Sequence, residues 1–230
     1  MLDVRETPPV AAILEDTLAR HQLQRAQGAF QKWPEGFPGF FARIVCRAEG
    51  AEFSGQVRVV AGGSVDVALA HPGLAAWAAA ALRTIAAARI PRFFKDGDGR
   101  FRISFDDGRD SLERRIRVDV GGDVWRTYRL DRKGQIREEE TIAPARRTRL
   151  TYDELARTSP GRVVPTRMRL LDWDVAGQTT LEASEIEDEY CRVDHVLLPL
   201  RRRTTRLDAA ERRTLSMELD RHVILRPHDP

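Results

Sequence analysis

The sequence has few cysteines and no long apolar run, and each shortage excludes a class of protein. Cys46 and Cys191 are the two cysteines, and they form no Cys-x-x-Cys pair, which excludes a disulfide framework and a cysteine-based zinc site. We expect two buried free thiols instead. The longest apolar run, residues 73–82, is far shorter than the roughly 20 residues that cross a bilayer, so the chain is not expected to span a membrane.

A secretory signal is missing as well. The first residues carry acids at Asp3 and Glu6, and no basic start is followed by an uninterrupted apolar segment. The expected location of the protein is therefore the cytoplasm.

Charge of one sign is not in excess. The chain has 38 cationic and 35 anionic side chains, a net charge of +3, which is too small to give the basic footprint of a nucleic-acid-binding protein. No predicted strand interleaves aromatic side chains with arginine, as an RNA-binding sheet would. Nearly all the cations are arginines, which pair well with carboxylates. We predict a surface of interleaved Arg and acid, and no nucleic-acid partner.

Catalytic and cofactor motifs are also absent. The sequence contains no HExxH, GxSxG, GxGxxG or GxxxxGK[ST], and its five histidines show no metal-ligand spacing. The segment DGDGR at Asp96–Arg100 begins like a calcium loop, but Arg100 and Phe101 stand where that loop needs an oxygen ligand and a glycine. The sequence predicts no catalytic residues, no metal site and no cofactor.

The remaining polar groups are interpreted as structural. The acidic runs Glu138–Glu140 and Glu185–Asp188 are predicted to pair across strands with the arginine groups at 146–147, 201–203 and 212–213. Cys46 is predicted to point inward, His222 to lie on a solvated strand face, and His195 to lie at a hairpin end. An enzyme site assembled from His195 and Glu187 is the weakest of the functional hypotheses.

Hydrophobic periodicity predicts an α+β fold in a single domain spanning residues 1–230. An N-terminal helix is expected at about 7–29, with Thr7 as N-cap and Pro8 in the first turn. Alternating segments joined by Gly-rich turns then predict about ten antiparallel strands at 40–225, with a bulge near Ser184-Glu185. We predict that these strands form a large curved sheet, a half-barrel, around an inserted Ala-rich helix.

The inserted helix is the most informative element of the sequence. It is predicted at Pro72–Arg89, and it is apolar almost all round, so we expect it to be enclosed by other elements on most sides. A groove between this helix and the sheet would admit a hydrophobic ligand. The residues predicted to line it are Trp77, Ala81, Ile85, Phe93, Phe94, Phe40 and Ile44. The simpler interpretation, that most of these side chains are core, stays open.

Four segments resemble a known family. They are FPGFFARIVCRAEGAEFSGQVRVV at 37–60, the Ala/Trp helix ending in Arg89, DRKGQIREEE at 131–140 and VVPTRMRLLD at 163–172. Together they resemble the uncharacterised domain of unknown function 3386 over about residues 25–225. No activity or catalytic residue attaches to that family. More distantly, the plan is similar to the lipoprotein-carrier half-barrels, whose concave face accepts acyl chains; this sequence lacks their export signal and lipidated Cys.

The sequence therefore favours a non-catalytic binder of a lipid or other hydrophobic small molecule, held in a half-barrel groove. The alternative is a protein-interaction or assembly factor with a filled half-barrel, whose Arg/Glu surface docks a protein partner.

Overall fold

A computed structural model describes residues 10–106, 113–176, 179–207 and 212–226, with the side chains described from residue 17 onward. These ranges contain two helices, two short 3-10 turns at Phe94–Asp96 and Asp98–Arg100, and twelve strands. The helices are α1 (Val10–Gly28) and α2 (Pro72–Arg89). The strands are β1 (Gly39–Ala48), β2 (Ala51–Val60), β3 (Val65–Leu69), β4 (Arg102–Phe105), β5 (Arg114–Gly121), β6 (Val124–Leu130), β7 (Ile136–Ile142), β8 (Arg146–Ser159), β9 (Arg162–Asp174), β10 (Thr179–Val193), β11 (Val196–Leu207) and β12 (Arg212–Ile224).

The strands hydrogen-bond in the order β3-β2-β1-β12-β11-β10-β9-β8-β7-β6-β5-β4. Each pair whose register is resolved is antiparallel, and most neighbours in the sheet are also neighbours in the chain. The exception is β1, which lies between β2 and the last strand, β12. The predicted α+β class and antiparallel sheet are confirmed, with twelve strands in place of about ten.

The chain divides into two compact units. Unit 1 comprises Met1–Phe30, Arg92–Tyr152 and Asp172–Leu181. Unit 2 comprises Gln31–Pro91, Asp153–Leu171 and Glu182–Pro230. The single-domain organisation stays a prediction.

Helix α1 belongs to unit 1 and packs against β4. Its buried stripe consists of Ala19, Leu23 and Ala26, at the spacing that places side chains on one helical face. Leu18 lies outside this stripe and is 48% exposed. The predicted cap at Thr7 and Pro8 lies outside the described residues.

Helix α2 has the predicted bounds, Pro72–Arg89, and lies in the chain between β3 and β4. His71 caps it by accepting the Leu74 N–H on its Nδ1 at 3.2 Å, and Pro72 occupies the first turn, where a missing N–H costs nothing. One face is buried and carries Leu74, Ala78, Ala81, Leu82, Ile85, Ala86 and Arg89. The opposite face, with Arg83 and several alanines, is exposed. The expectation that the helix is enclosed on most sides was wrong, because alanine serves helix propensity as well as burial.

The core of unit 2 lies between the buried face of α2 and strands β1, β2, β11 and β12. The largest fully buried side chains there include Phe40, Ile44, Met217 and Leu219. The connector before β1 is held in place by Trp33, whose indole Nε1–H donates to the Leu197 carbonyl at 3.1 Å. The helix face and the sheet face thus form one continuous apolar cluster.

Gly39, within the FPGF connector, is a position that only glycine fits. Its φ is +113°, and a Cβ there would lie 2.0 Å from the Val59 carbonyl oxygen. The β1–β2 pairing therefore depends on the absence of a side chain at this residue.

The predicted bulge in β10 lies elsewhere. In its pairing with β11, Ser184 opposes Arg206 and Glu185 opposes Thr205 in regular register, and the shift falls between Glu189 and Tyr190.

Candidate functional site

The structure places five of the predicted ligand-lining residues in unit 2. Phe40, Ile44, Ala81 and Ile85 belong to its buried cluster, and the half-buried Trp77 packs against it. Phe40 and Ile44 have 0% exposure, so they are core side chains in this conformation. Trp77 has more exposed surface and reaches the edge of the cluster from α2.

The other two predicted residues lie in unit 1, where Phe94 begins the first 3-10 turn and Phe93 precedes it. Phe93 is 69% exposed, and the Lys95 ammonium lies 5.4 Å from the centre of its ring. Phe94 is half-buried. Whether any of the seven contacts a ligand stays a prediction.

A group of buried polar residues in unit 2 was missed by the sequence analysis. We call Arg89, Asp188, Tyr190 and Arg202 the Arg89 cluster. Arg202 donates from Nε and Nη2 to the two oxygens of Asp188, at 2.6 Å each, and from Nη1 to the Ala81 carbonyl of α2 at 3.3 Å. Asp188 is 3% exposed and Arg202 6%. The pair thus ties β10 and β11 to the buried side of α2.

Arg89, in the last turn of α2, completes this cluster. Its Nη1 donates to the Gln31 carbonyl at 3.0 Å, and its guanidinium carbon lies 4.5 Å from the centre of the Tyr190 ring. The Tyr190 hydroxyl in turn donates to Asp188 at 3.2 Å. The remaining nitrogen, Nη2, is buried and has no hydrogen-bond partner among the described residues.

The charges of the cluster do not balance. Burial, with Asp188 adding to it, raises the pKa of Tyr190 to about 12, so the phenol is neutral at physiological pH. Burial works to lower the pKa of Arg202, but the hydrogen bonds and charge of Asp188 outweigh it and hold that pKa above its ordinary value. The cluster therefore contains two guanidinium cations and one carboxylate, and its four side chains carry a surplus positive charge.

The alternation of side chains along β10 and β11 indicates which of their charged residues point inward. The sequence predicted cross-strand pairs between the acids at 185–188 and the arginines at 201–203. The prediction is confirmed for the outward members: Glu187 pairs with Arg203 at 3.8 Å, and both are exposed. Asp188 and Arg202 have the opposite parity, and the β10–β11 register sets them side by side on the inner face.

The residues considered for catalysis are not brought together. His195 is exposed in the turn between β10 and β11, where Asp194 has a φ of +51°. Glu187 forms ion pairs with Arg203 and with Arg167. Within the described ranges, no group of three or more His, Cys, Asp or Glu side chains could hold a metal ion.

His222 is not on a solvated face, so that prediction was wrong. Arg221 has a φ of +52° and lies where the register of β12 against β1 shifts, and the His222 ring lies 5.7 Å from the Phe40 ring. Its Nε2–H donates to the Pro199 carbonyl at 2.9 Å, which leaves Nδ1 to accept from the Cys191 thiol at a sulfur–nitrogen distance of 3.9 Å. Cys191 is half-buried, so only Cys46 is a fully buried thiol as predicted.

The DGDGR segment forms a structural centre in unit 1. Asp98 is 4% exposed, and its carboxylate accepts hydrogen bonds from Gln27 at 2.7 Å, Arg126 at 2.6 Å and the Tyr128 hydroxyl at 2.6 Å. These donors come from α1 and β6, so one carboxylate joins three segments. Protein donors thus bind both oxygens of this carboxylate.

Two tryptophans of unit 1 lie against arginines, which the sequence analysis did not find. The Arg117 guanidinium lies 4.9 Å from the centre of the Trp125 ring, and Arg147 and Arg149 lie 5.6 and 5.4 Å from that of Trp173. Glu140 accepts hydrogen bonds from Arg147 and Arg149. The partners come from neighbouring strands, so no single strand shows the pattern, and Glu140 offsets the positive charge.

Among the described residues, neither helix has the length and apolar character that crossing a bilayer demands.

The fold and the cluster together define an α+β protein built on an antiparallel sheet with a buried Arg–Asp–Tyr centre. The model of the family described as "Protein of unknown function (DUF3386)" matches residues 14–222, so the chain belongs to this family and the resemblance found in the sequence is confirmed. None of the curated proteins matches the chain.

Two solved structures show a limited similarity to this chain. One is a chain of the MucA/MucB complex of Pseudomonas aeruginosa, with 14% identity, a TM-score of 0.23, and coverage of 88% of this chain and 94% of that chain. The other is a chain of MucB in complex with MucA(peri), with 13% identity, a TM-score of 0.22 and the same coverage.

Proposed function

We propose that this chain is a non-catalytic binder of a lipid or other hydrophobic small molecule, held beside α2 in a half-barrel groove. The observation that carries the proposal is the position of Trp77, half-buried on α2 at the edge of the apolar cluster of unit 2. A tryptophan in this position offers a large apolar surface together with an N–H donor. No described residue accepts a hydrogen bond from that indole, so the donor is available to a ligand.

The small side chains around Trp77 support the same proposal. Ala78 and Ala81 lie on the buried face of α2, and Ala81 follows Trp77 by one helical turn. Because alanine side chains are small, an alkyl chain can approach the helix closely along them. Ligand sites of this kind are mostly apolar with a few polar groups. The cytoplasmic location is part of this proposal and is tested by cell fractionation.

Fluorescence of a neutral apolar probe, N-phenyl-1-naphthylamine, tests this function. The full chain is expected to enhance the emission of the probe, and an unlabelled lipid extract is expected to displace it. Trp77→Ala should weaken probe binding by roughly ten-fold, because truncating a large aromatic contact costs more than 1 kcal/mol. Trp173→Ala, the same change in unit 1, is the matched control and should bind the probe as the wild type does.

Two results would argue against the proposal. One is an absence of probe enhancement together with native mass spectra that show the bare protein mass after gentle purification. The other is an equal loss of probe binding in Trp77→Ala and Trp173→Ala, which would indicate nonspecific adsorption.

The second candidate is a protein-interaction or assembly factor. The observation that favours it is a network of exposed ion pairs in unit 2, which crosses from β2 through β1 and β12 to β11. Arg47 pairs with Glu52 and Glu218, and Arg201 pairs with Glu218 in turn. Exposed pairs contribute little stability and can be exchanged for a partner's charges. Capture of one stoichiometric protein that salt releases, with wild-type affinity in Trp77→Ala, would favour this candidate.

A further inference from the structure

We propose that the hydrophobic ligand is an anionic amphiphile, and that Arg89 binds its carboxylate or phosphate head while the tail lies along α2 toward Trp77. This inference rests on the function proposed above and specifies the chemical class of its ligand.

The surplus charge of the Arg89 cluster favours an anionic ligand. Arg202 and Asp188 neutralise each other through two hydrogen bonds of 2.6 Å. Arg89 is 3% exposed, and it has the neutral Tyr190 ring and a backbone carbonyl as its neighbours rather than a carboxylate of its own. A buried cation without a paired anion is costly, because water no longer solvates it. An anion bound at Arg89 removes that cost.

An unused donor of Arg89 favours the same kind of ligand. Arg89 Nη1 donates to Gln31, whereas Nη2 is buried and unpartnered among the described residues. Buried polar nitrogens are normally satisfied, so an exception of this kind requires an explanation. Carboxylate and phosphate oxygens are the acceptors that a guanidinium binds most strongly.

The position of Arg89 on the helix favours a ligand with a hydrocarbon tail. Trp77, Ala81, Ile85 and Arg89 follow one another at intervals of four residues, so they form one stripe along α2, which begins at the half-buried Trp77 and continues through three buried residues. The first three residues of the stripe are apolar, and the last is Arg89 with its charged guanidinium. It extends roughly 18 Å along the helix axis, at 1.5 Å per residue. A ligand with a charged head and a long hydrocarbon tail matches this order of groups.

Protein atoms cover most of the stripe. Ala81 is 9% exposed and Ile85 4%. Entry of a tail therefore separates α2 from the sheet, and we expect association slower than the diffusion-limited rate because binding requires this movement.

Matched ligands that differ in the head alone test the inference. Oleate, oleyl phosphate and oleyl alcohol share a tail, and acetate and inorganic phosphate supply the anion without one. Oleate and oleyl phosphate are expected to bind the full chain at least ten-fold more tightly than oleyl alcohol, since one charge-assisted hydrogen bond accounts for a difference of this size. Acetate and inorganic phosphate at the same concentrations should leave the melting temperature unchanged.

Arg89→Met keeps the length of the side chain and removes the charge, and it should reduce the preference for the anionic heads to less than two-fold. Arg83→Met makes the same change on the exposed face of α2 and should keep the preference. If Arg89→Met does not fold, the comparison of heads on the wild type still tests whether the ligand is an anionic amphiphile, because it needs no variant.

The outcomes separate the two proposals. If oleate and oleyl alcohol bind equally, or if the anionic preference survives in Arg89→Met, the anchoring role of Arg89 is overturned while a hydrophobic-ligand binder remains. If none of the three tailed ligands binds, the function proposed above fails as well. Equal stabilisation by acetate and oleate would show a plain anion site and would overturn the amphiphile.

Discussion

Asp188 and Arg202 form a bidentate ion pair in the interior of unit 2, with two nitrogen–oxygen distances of 2.6 Å and almost no exposed surface on either side chain. One residue further along the same two strands, Glu187 and Arg203 form an ion pair that is exposed to solvent. The two pairs differ in burial, and burial decides how much each contributes to stability.

Removing one member of the buried pair should strongly destabilise the protein. Asp188→Asn leaves the Arg202 cation buried without its anion, so we expect the free energy of unfolding to fall by about 3–5 kcal/mol. Glu187→Gln, on the adjacent residue, should change it by less than about 1 kcal/mol. Urea unfolding of both variants measures the difference, and equal effects would show that the burial of Asp188 does not determine its contribution.

Asp98 should be as important to unit 1 as Asp188 is to unit 2. The Asp98 carboxylate accepts three hydrogen bonds. In Asp98→Asn an amide NH₂ replaces one of its oxygens and faces the N–H or O–H groups that had donated to it. We expect a loss of about 3 kcal/mol in the free energy of unfolding. Asp96→Asn changes an exposed acid of the same segment and should stay within about 0.5 kcal/mol of the wild type. A tolerated Asp98→Asn would contradict the role assigned to this carboxylate.

His222 should make stability depend on pH between neutrality and mild acid. Burial lowers the pKa of His222 below its ordinary 6.5, although the Pro199 carbonyl and Asp220 act in the opposite direction. The unfolded state then binds the proton more readily, so stability is complete above the unfolded pKa and declines as the pH falls below about 6.5. His222→Gln, which keeps an N–H for Pro199, should flatten this decline in urea titrations.

The control for that experiment is His195→Gln, which replaces the exposed histidine of the β10–β11 turn. It should keep the pH dependence of the wild type. A decline that persists in His222→Gln would place its origin in other groups.

The Cys46 thiol should be inert in the folded protein. It is fully buried, and burial raises its pKa to about 11, so roughly one molecule in a thousand carries the reactive thiolate at pH 8. In Cys191→Ser, Ellman's reagent should modify Cys46 slowly until guanidinium unfolds the chain. Cys46→Ser retains the half-buried Cys191 and should react faster. Rapid modification of native Cys191→Ser would show that β1 opens readily around Cys46.

Periodicity was a sound guide to the elements of this fold. The bounds of α2 follow from His71 and Pro72 at one end and Pro91 at the other, all of them local signals. The alternation in β1, β2 and β3 predicted the first three strands, because the inward positions of a half-buried strand must be apolar. The family was also recognised from local segments. One of them, FPGF, contains Gly39, which the β1–β2 pairing requires.

The same pattern could not predict the polar interior. Asp98 draws its donors from residues far apart in the chain, and no spacing within one segment indicates that they meet. Asp188 and Arg202 lie in runs of charged residues that include exposed members such as Glu187 and Arg203. The residue types alone therefore did not indicate that these two side chains point inward. His222 changed faces because Arg221 adopts a positive φ, which a non-glycine residue rarely does and which no residue type there signals.

The pairing of β1 with β12 has a consequence for synthesis. Phe40 opposes Ile224 and Ile44 opposes Leu219, so one side of β1 has no strand to bind until residues 212–224 have left the ribosome. During translation that edge, with its apolar side chains, is open to other chains. Folding of unit 2 therefore requires β12 to have left the ribosome, and a nascent chain stalled before residue 212 should depend on chaperones to avoid aggregation.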